Sequence, residues 1–328
     1  MNMRMWINHP KLGDIEVEYP HTLYENRVSR HLGVSIPIVQ APMGWIARSQ
    51  LASAVSAAGA CGIIETSSGE LDAVKEEMKV MNDLGHRYGV NIAQAFVRDP
   101  SIAEFVIDQG IKFVTTSAGS PTKYTGILKE AGLTVYHVVP TLLAAKKAVD
   151  AGVDGLVVEG GEGGGFKSPS PVSTMVLLPL VREHVSVPII AAGGINDGAT
   201  MAAAFALGAE GVQMGTQMVA SFESPVHDNW KNAILDAKET DTLFLNQKHS
   251  PALRALRTGR SERLLDSTEN VFGEFGNPID LYFGGDMEAA IALSGQVAGR
   301  ISKIRTVQEI IADTVDEFTK TIERLSTN

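Results

Sequence analysis

Eight short apolar segments recur at intervals of 21 to 33 residues along the chain, at 36–43, 60–66, 88–93, 112–119, 133–139, 154–160, 187–194 and 211–216. Helical periodicity separates them, and six of the helical stretches stop at a glycine: Gly59, Gly85, Gly110, Gly132, Gly152 and Gly208. Glycine adopts the left-handed conformation that ends a helix without a Cβ clash. Continuously apolar strands alternating with helices are typical of a parallel sheet covered by helices. Eight such units predict a (β/α)8 barrel with its functional site at the carboxyl ends of the strands.

The chain is longer than the roughly 250 residues that such a barrel needs. Residues 1–30 are expected to form a polar N-terminal arm, with a short hairpin around Lys11–Asp14, and residues 31–221 the barrel. Residues 222–285, here called the lid segment, are expected to fold over the strand ends and to contact substrate. Within it, WKNAILDAK and ALRALRTG have helical patterns, and FGEFGNPIDLYFGGD is typical of an irregular loop. Residues 286–328 are expected to return to helix and pack on the barrel.

Composition narrows the classes of partner. A net charge of −10 and a pI near 5.3 argue against nucleic acid or an anionic membrane surface, and a small-molecule substrate is expected instead. The local cluster Arg254, Arg257, Arg260 and Arg263 is interpreted as a solvated helix face, with a phosphate site as the alternative.

A single cysteine, Cys61, excludes an internal disulfide and a thiolate metal cluster, and it is expected to be a buried core thiol. No metal site is predicted. No apolar run is long enough to span a membrane, and the N-terminus lacks the apolar region of a signal peptide. We therefore expect a cytoplasmic protein, for which a homodimer is compatible with the sequence.

Glycines follow the seventh and eighth strands, in AAGGIND and QMGTQ. In a barrel the loops after these strands lie side by side and form a phosphate site. Gly193 and Gly194 would let the backbone approach an anion, while Gly215 and Thr216 would add N–H groups and a hydroxyl. The alternative is that these glycines only permit tight turns.

Other strand ends carry further candidates. Ala41, Pro42 and Met43 present little bulk and suit contact with a planar cofactor, and Asn91 ends the third strand with an amide that can donate and accept. The alternative for Asn91 is a loop cap. Trp45 follows the first strand and is a candidate substrate contact.

Glu159 and Glu162 lie in the glycine-rich stretch after the sixth strand, which is expected to pass closely over a ligand. Glu159 could act as a general base or bind backbone amides. His137 lies on the fifth strand and could be catalytic or structural.

In these motifs the chain resembles the flavin-dependent nitronate monooxygenases, formerly called 2-nitropropane dioxygenases, and the similar FMN-dependent enoyl-ACP reductases. The resemblance covers roughly residues 30–300 and rests on QAPMGW, GVN, EGGEGGG, AAGGI, GVQMGT and a late SGQVAG, in this order. It implies a (β/α)8 barrel and non-covalent FMN. The phosphate would bind at Gly193, Gly194, Gly215 and Thr216, and the ring would lie against Ala41, Pro42 and Met43, near Asn91. Gln296 would approach the flavin from the late segment.

One position departs from the family pattern. The motif of the sixth strand commonly ends in a histidine that faces the substrate, and here this position is Phe166. Loss of a positioned acid–base group typically costs ~10²–10⁴-fold in rate. Deprotonation of a neutral nitroalkane should therefore be poor unless Glu162, Lys167 or a lid residue substitutes. Phe166 would instead stack on a flat or acyl substrate.

Three functions remain open from the sequence. The first is an FMN-dependent oxidoreductase that oxidises nitronates or similar activated anions with O2, for which an anionic substrate needs no base. The second is an NAD(P)H-dependent FMN reductase of an enoyl thioester, enone or quinone, which Val138-Val139-Pro140 after the fifth strand favours. The third is a non-catalytic barrel that binds FMN or another phosphate ligand.

Overall fold

A computed structural model describes residues 2–9, 13–20, 24–97, 99 and 101–327, the first two ranges as backbone only. Strands β1 (Asn2–His9) and β2 (Gly13–Pro20) pair antiparallel, with Asn8 opposite Asp14. They form the hairpin expected in the arm; residues 10–12, between the two strands, lie outside the described residues. Helix α1 (Arg27–Leu32) follows, and a capping box between Asn26 and Ser29 begins it.

All eight apolar segments form parallel strands of one sheet. These are β3 (Ile38–Gln40), β4 (Gly62–Ile64), β5 (Tyr88–Ala93), β6 (Phe113–Ser117), β7 (Thr134–Val139), β8 (Gly155–Glu159), β10 (Ile189–Ala192) and β11 (Gly211–Met214), with β9 (Gly165–Lys167) in a separate sheet. The order around the sheet is β3, β11, β10, β8, β7, β6, β5, β4, and a parallel bridge between Val39 and Cys61 joins its two edges. The predicted (β/α)8 barrel is confirmed.

Helices cover the outside of the barrel. They are α2 (Ser49–Ala57), α3 (Leu71–Asp83), α4 (Ile102–Asp108), α5 (Thr125–Glu130), α6 (Leu142–Asp150), α7 (Thr174–Arg182) and α8 (Gly198–Ala206), each after one strand. The six glycines predicted to end helices all have positive φ, between 70° and 101°. That prediction is confirmed as well.

Large side chains fill the barrel interior. Phe113 and Tyr136 meet edge to face at 5.2 Å, and both are buried. Gly155 provides space for them, because a Cβ there would lie 2.2 Å from the Tyr136 ring. Cys61 belongs to the same cluster, and burial raises the pKa of its thiol to about 12, as expected of a core cysteine. The interior is thus a packed core, which leaves the strand ends for chemistry.

The eighth helix of the barrel comes from the C-terminus. Helix α13 (Val307–Ser326) packs against α8 and α2, the helices that follow the seventh and first strands. Phe318 of α13 meets Phe205 of α8 at 5.0 Å. Residues between β11 and α13 are therefore an insertion within the last β/α unit.

This insertion contains helices and a second sheet. Its elements are α9 (Thr216–Val219), α10 (Asp228–Asp236), β12 (Thr242–Leu245), β13 (Ala252–Leu256), α11 (Gly259–Leu264), α12 (Pro278–Tyr282) and two short 3-10 helices, Val271–Glu274 and Gln296–Arg300. Strand β13 pairs antiparallel with both β12 and β9, so the second sheet joins the lid segment to the loop that follows β8. Among the described residues, no helix combines the length and apolarity needed to cross a membrane.

The helical expectation for ALRALRTG was wrong. Ala252–Leu256 is a strand whose five residues are all buried, and helix begins only at Gly259. A short apolar run has no periodicity that separates strand from helix, and pairing with β9 and β12 decides the outcome. The arginine cluster was therefore also misread in part: Arg254 is buried on β13, whereas Arg257, Arg260 and Arg263 are partly or largely exposed and pair with carboxylates or carbonyls.

The contact between α8 and α13 generates a stability prediction. A Cβ on Gly198 would lie 2.2 Å from Phe318 N and 2.3 Å from Thr314 O, which are backbone atoms. Gly198→Ala should therefore displace α13 and lower the free energy of unfolding by ~1–3 kcal/mol. The matched control is Gly126→Ala in α5, where no atom lies within 4 Å; it should stabilise by up to about 1 kcal/mol. Urea denaturation measures both, and equal stabilities would contradict the packing described.

Candidate active site

A cavity of about 680 Å³ opens at the carboxyl ends of the barrel strands. Its volume lies within the roughly 300–1,000 Å³ of typical ligand sites. Most of the residues singled out from the sequence line it: Ala41, Pro42, Met43, Asn91, His137, Glu159, Glu162, Phe166, Gly193, Gly194, Gly215 and Thr216. Trp45 and Gln296 are not among its lining residues. No cluster of metal-binding side chains occurs in the part of the chain that the structure describes.

One corner of the cavity is formed by backbone. Gly193 and Gly194 have φ of 89° and 79°, which non-glycine residues rarely adopt. Among the described residues, none accepts a hydrogen bond from the backbone N–H of Gly194 or Gly215. Thr216 Oγ1 accepts a hydrogen bond from Gly295 N at 2.9 Å, so this hydroxyl also holds the late segment, residues 294–299, against the barrel. Unpaired N–H groups beside small residues suit an anion.

Amide side chains line the wall beside this corner. Gln213 of β11 is buried, lines the cavity, and its Oε1 has no hydrogen-bond partner among the described residues. A buried polar atom without a partner costs stability, so this oxygen is positioned for a ligand. Sequence reasoning missed Gln213, although it is a polar residue within an apolar strand. Asn91 instead donates to Thr115 Oγ1 at 2.9 Å and to Ser117 Oγ at 3.3 Å.

The loop after β8 runs through a narrow space above the barrel. Gly160 N donates to Ala192 O at 2.9 Å, and Gln296 N donates to Glu162 O at 2.9 Å. A Cβ on Gly164 would lie 2.6 Å from Ser294 C. The loop therefore has backbone packed on both sides, and this contact leaves no space for a side chain at Gly164.

Arg254 of β13 also holds this loop. Its Nε donates to Gly161 O at 2.7 Å, and its guanidinium lies 5.2 Å from the centre of the Phe244 ring. Burial lowers the pKa of Arg254, while the charge of Glu162 opposes that effect. An arginine interpreted as a solvated face is thus a buried support of the candidate site.

Glu162 is occupied by backbone and hydroxyl donors. Its carboxylate accepts from Thr174 N at 3.0 Å and from Thr174 Oγ1 at 3.0 Å. Thr174 is the first residue of α7, where the backbone N–H groups lack intrahelical acceptors and a negative charge is favoured. Glu162 therefore ties the loop to a helix end, and its oxygens are less open to a substrate proton than the sequence suggested.

Glu159 has a different partner. Its Oε1 accepts from Lys167 Nζ at 2.5 Å, and both residues line the cavity. The Lys167 side chain is 4% exposed and that of Glu159 24% exposed. A lysine buried to this extent is rare without a paired carboxylate. The pair places an ammonium group and a carboxylate at the barrel mouth.

Phe166 belongs to an aromatic group that includes two residues of the lid segment. Its ring stacks on Phe96 at 5.0 Å and contacts Phe272 at 5.9 Å and Phe275 at 6.4 Å. Phe166 lines the cavity as part of this group. Apolar rings at the mouth favour an apolar portion of a ligand there.

His137 is buried and neutral. It is 4% exposed, and its Nδ1 lies 2.7 Å from Thr116 Oγ1. Burial lowers its pKa to about 4, partly offset by a hydrogen bond with the backbone of Gly119. A histidine with this pKa is a weak base at neutral pH, which favours the structural alternative.

The remaining two candidates lie outside the cavity wall. Gln296 is exposed, while its neighbours Gly295 and Val297 line the cavity. Trp45 has φ of 60°; its backbone N–H donates to Glu65 and its indole to Glu70. Its ring meets Tyr282 edge to face at 6.2 Å, and it is Tyr282 that lines the cavity. Tyr282 comes from α12, a contribution of the lid segment that local sequence does not reveal.

Comparison with known proteins identifies the family. The nitronate monooxygenase profile matches residues 25–101 and 87–317. The chain belongs to the nitronate monooxygenase family. A family member named probable nitronate monooxygenase, from Staphylococcus saprophyticus, is 30% identical over 267 residues, which are 67% of this chain and 75% of that protein.

Two similar proteins carry other names. A (3aS,4S,5R,7aS)-5-hydroxy-7a-methyl-1-oxo-octahydro-1H-indene-4-carboxyl-CoA dehydrogenase of Mycobacterium tuberculosis is 35% identical over 239 residues, 71% of this chain. The match spans 66% of that relative's length, just under two thirds. FabK from Thermotoga maritima is 36% identical with a TM-score of 0.84, over 92% of this chain and 99% of FabK. The names of the monooxygenase and the dehydrogenase both describe oxidoreductases.

The pKa of His137 generates a prediction of pH dependence. The neutral form is favoured in the folded state, so the unfolded chain binds the extra proton between pH 6.5 and about 4. The stability that His137 contributes is therefore present above pH 6.5 and is lost as the pH falls toward 4. Between neutral and acid pH, the free energy of unfolding of His137→Gln should therefore fall by up to about 3 kcal/mol less than that of the wild type.

Urea denaturation at pH 7 and pH 4.5 measures this effect as the difference between variant and wild type at each pH. His184→Gln, at an exposed histidine, is the control. A difference that is the same at both pH values for His137→Gln would exclude a neutral, buried imidazole.

Proposed function

We propose that this protein is an FMN-dependent oxidoreductase that transfers a hydride between a nicotinamide nucleotide and the Cα–Cβ bond of an acyl thioester. One observation carries the choice of substrate: position 166 is a phenylalanine within an aromatic wall of the cavity. His137, the histidine among the described residues that line the cavity, is a weak base. The name of the similar carboxyl-CoA dehydrogenase supports the same choice, as does the resemblance of the sequence motifs to FMN-dependent enoyl-ACP reductases.

The cavity fits FMN at three points. The unpaired N–H groups of Gly194 and Gly215 would bind the phosphate. Ala41, Pro42 and Met43 would lie against the ring, and the unpartnered Oε1 of Gln213 would accept a hydrogen bond from it. FMN, when bound, supplies two-electron hydride chemistry.

The protein's own residues would orient the thioester and exclude water. The wall of Phe96, Phe166 and Phe272 would bind the acyl chain, with the lid segment closing over it. Exclusion of water strengthens the interactions of the polar groups that remain, in particular Glu159 and Lys167.

Nitronate oxidation is the second candidate. Its support is the family profile and the name of the staphylococcal relative. A nitronate is already an anion, so its oxidation needs no base at position 166. A neutral nitroalkane should react poorly, because Glu162 is bound to Thr174 and His137 is a weak base.

An anaerobic half-reaction experiment tests the choice. The purified protein is mixed with NADH, NADPH or propyl-2-nitronate, and flavin absorbance is followed. We expect a nicotinamide to bleach the flavin and a trans-2-enoyl thioester to restore the absorbance. Parallel use of coenzyme A and acyl-carrier-protein thioesters distinguishes the two carriers. Bleaching by the nitronate alone would contradict the proposal and support the second candidate.

The phosphate corner generates a prediction on cofactor binding. Gly194→Asp would put a carboxylate where the phosphate is proposed to lie, and FMN should bind at least about tenfold more weakly than in Gly194→Asn. Asparagine is the matched control because it has the same shape and, like aspartate, tolerates positive φ. Fluorescence titration of apoprotein with FMN measures both. Equal affinities in the two variants would remove the phosphate from this corner.

A further inference from the structure

Lys167 lies one residue after the position at which the chain departs from the family motif. Successive residues of a strand point to opposite faces. On β9, Phe166 packs against the aromatic side chains under the lid segment, whereas Lys167 turns toward Glu159 at the end of barrel strand β8. The face of β9 that looks onto the barrel mouth therefore carries an ammonium group.

The surroundings keep this ammonium directed at the cavity. Within the described part of the chain, Glu159 is the one hydrogen-bond partner of Lys167 Nζ, and two of its three N–H bonds remain free. A Cβ on Gly163 would lie 3.0 Å from both Lys167 Nζ and Glu159 Oε1. The glycine thus leaves the pair room above the strand ends. Ion pairing with Glu159 fixes the direction of an otherwise flexible side chain.

Other acid–base groups of the cavity are less suited to proton donation. Glu162 is bound by the backbone and hydroxyl of Thr174. His137 is neutral, and its Nδ1 is engaged by Thr116. Lys147 also lines the cavity but is exposed, and burial raises the pKa of the Tyr282 hydroxyl. Among the described lining residues, Lys167 combines a proton, burial and an orienting partner.

We propose that Lys167 is the proton donor of the reaction, a role that rests on the thioester function proposed above. When a nicotinamide-derived hydride forms a C–H bond at the β-carbon, the π electrons of the double bond move to the α-carbon and the thioester oxygen. An N–H bond of Lys167 breaks, and its proton forms the new C–H bond at the α-carbon. The neutral amine regains a proton from water, and Glu159 holds Nζ at the site throughout.

Stopped-flow kinetics of holoenzyme variants tests the role. In Lys167→Met, flavin reduction by the nicotinamide should keep its wild-type rate, while reoxidation by the enoyl thioester should slow by ~10²–10⁴-fold. Lys167→Arg keeps the positive charge but does not release a proton at neutral pH, so it should be as slow. Lys320→Met, at an exposed lysine paired with Asp316 on α13, is the matched control and should be unchanged.

Three further readouts separate this role from a structural one. Flavin content and thermal melting show whether each variant is folded. Calorimetric titration with a saturated acyl thioester should give the wild-type affinity in Lys167→Met, since binding is not the step that is lost. In D2O, wild type should place deuterium at the α-carbon in one configuration, and Lys167→Met in both.

The outcomes are distinguishable. Reoxidation at the wild-type rate in Lys167→Met, or its recovery in Lys167→Arg, would overturn the role of Lys167 while leaving the thioester function intact. A wild-type reduced flavin that no enoyl thioester reoxidises would overturn the proposed function and the role of Lys167 with it.

Discussion

The close passage of backbone over the barrel mouth is the constraint on which the candidate site depends. The loop from Gly160 to Gly165 runs between the end of β10 and residues Ser294–Gly295. A Cβ on Gly164 would lie 2.6 Å from Ser294 C, and a Cβ on Gly160 would lie 2.5 Å from the backbone N of Thr174 in α7. Because the loop packs closely against the strand ends, β9, which follows it, can pair with β13 of the lid segment. This pairing places the lid segment over the cavity. A single stretch of glycine thus connects the barrel, the lid segment and the proposed cofactor corner.

Two carboxylates of this loop have separate tasks because their donors differ. Glu162 is bound by the first residue of α7, and Arg254 lies close enough for its charge to act on it, so this carboxylate anchors the loop. Glu159 faces the cavity and is bound by one ammonium group. Residue type alone does not separate the two, since Glu159 ends β8 and Glu162 follows it by three positions. Their roles follow from the elements that the fold brings against each one.

Much of the barrel is predictable because its signals are local. Apolar runs, and helix-ending glycines such as Gly110 and Gly152, lie within a few residues of the element that they define. The proposed phosphate site is predictable for the same reason. Its residues follow the seventh and eighth strands, and counting the repeated β/α units identifies these strands. Arg254 was not, because its strand depends on pairing with β12 and with β9, and β9 lies far away in sequence. Tyr282 enters the cavity through an insertion whose path no local pattern encodes.

The replacement of a histidine by Phe166 does not by itself make the site inert, because strand geometry separates neighbouring side chains onto two faces. An aromatic residue at 166 adds to the apolar wall that would bind an acyl chain, while 167 presents a charge to the barrel. Under the proposed function, adjacent residues with different surroundings would bind an apolar substrate and supply a proton. A fully buried lysine is costly without a partner, and Glu159 offsets that cost. The departure from the family motif is thus consistent with the proposed change of substrate chemistry and does not require its loss.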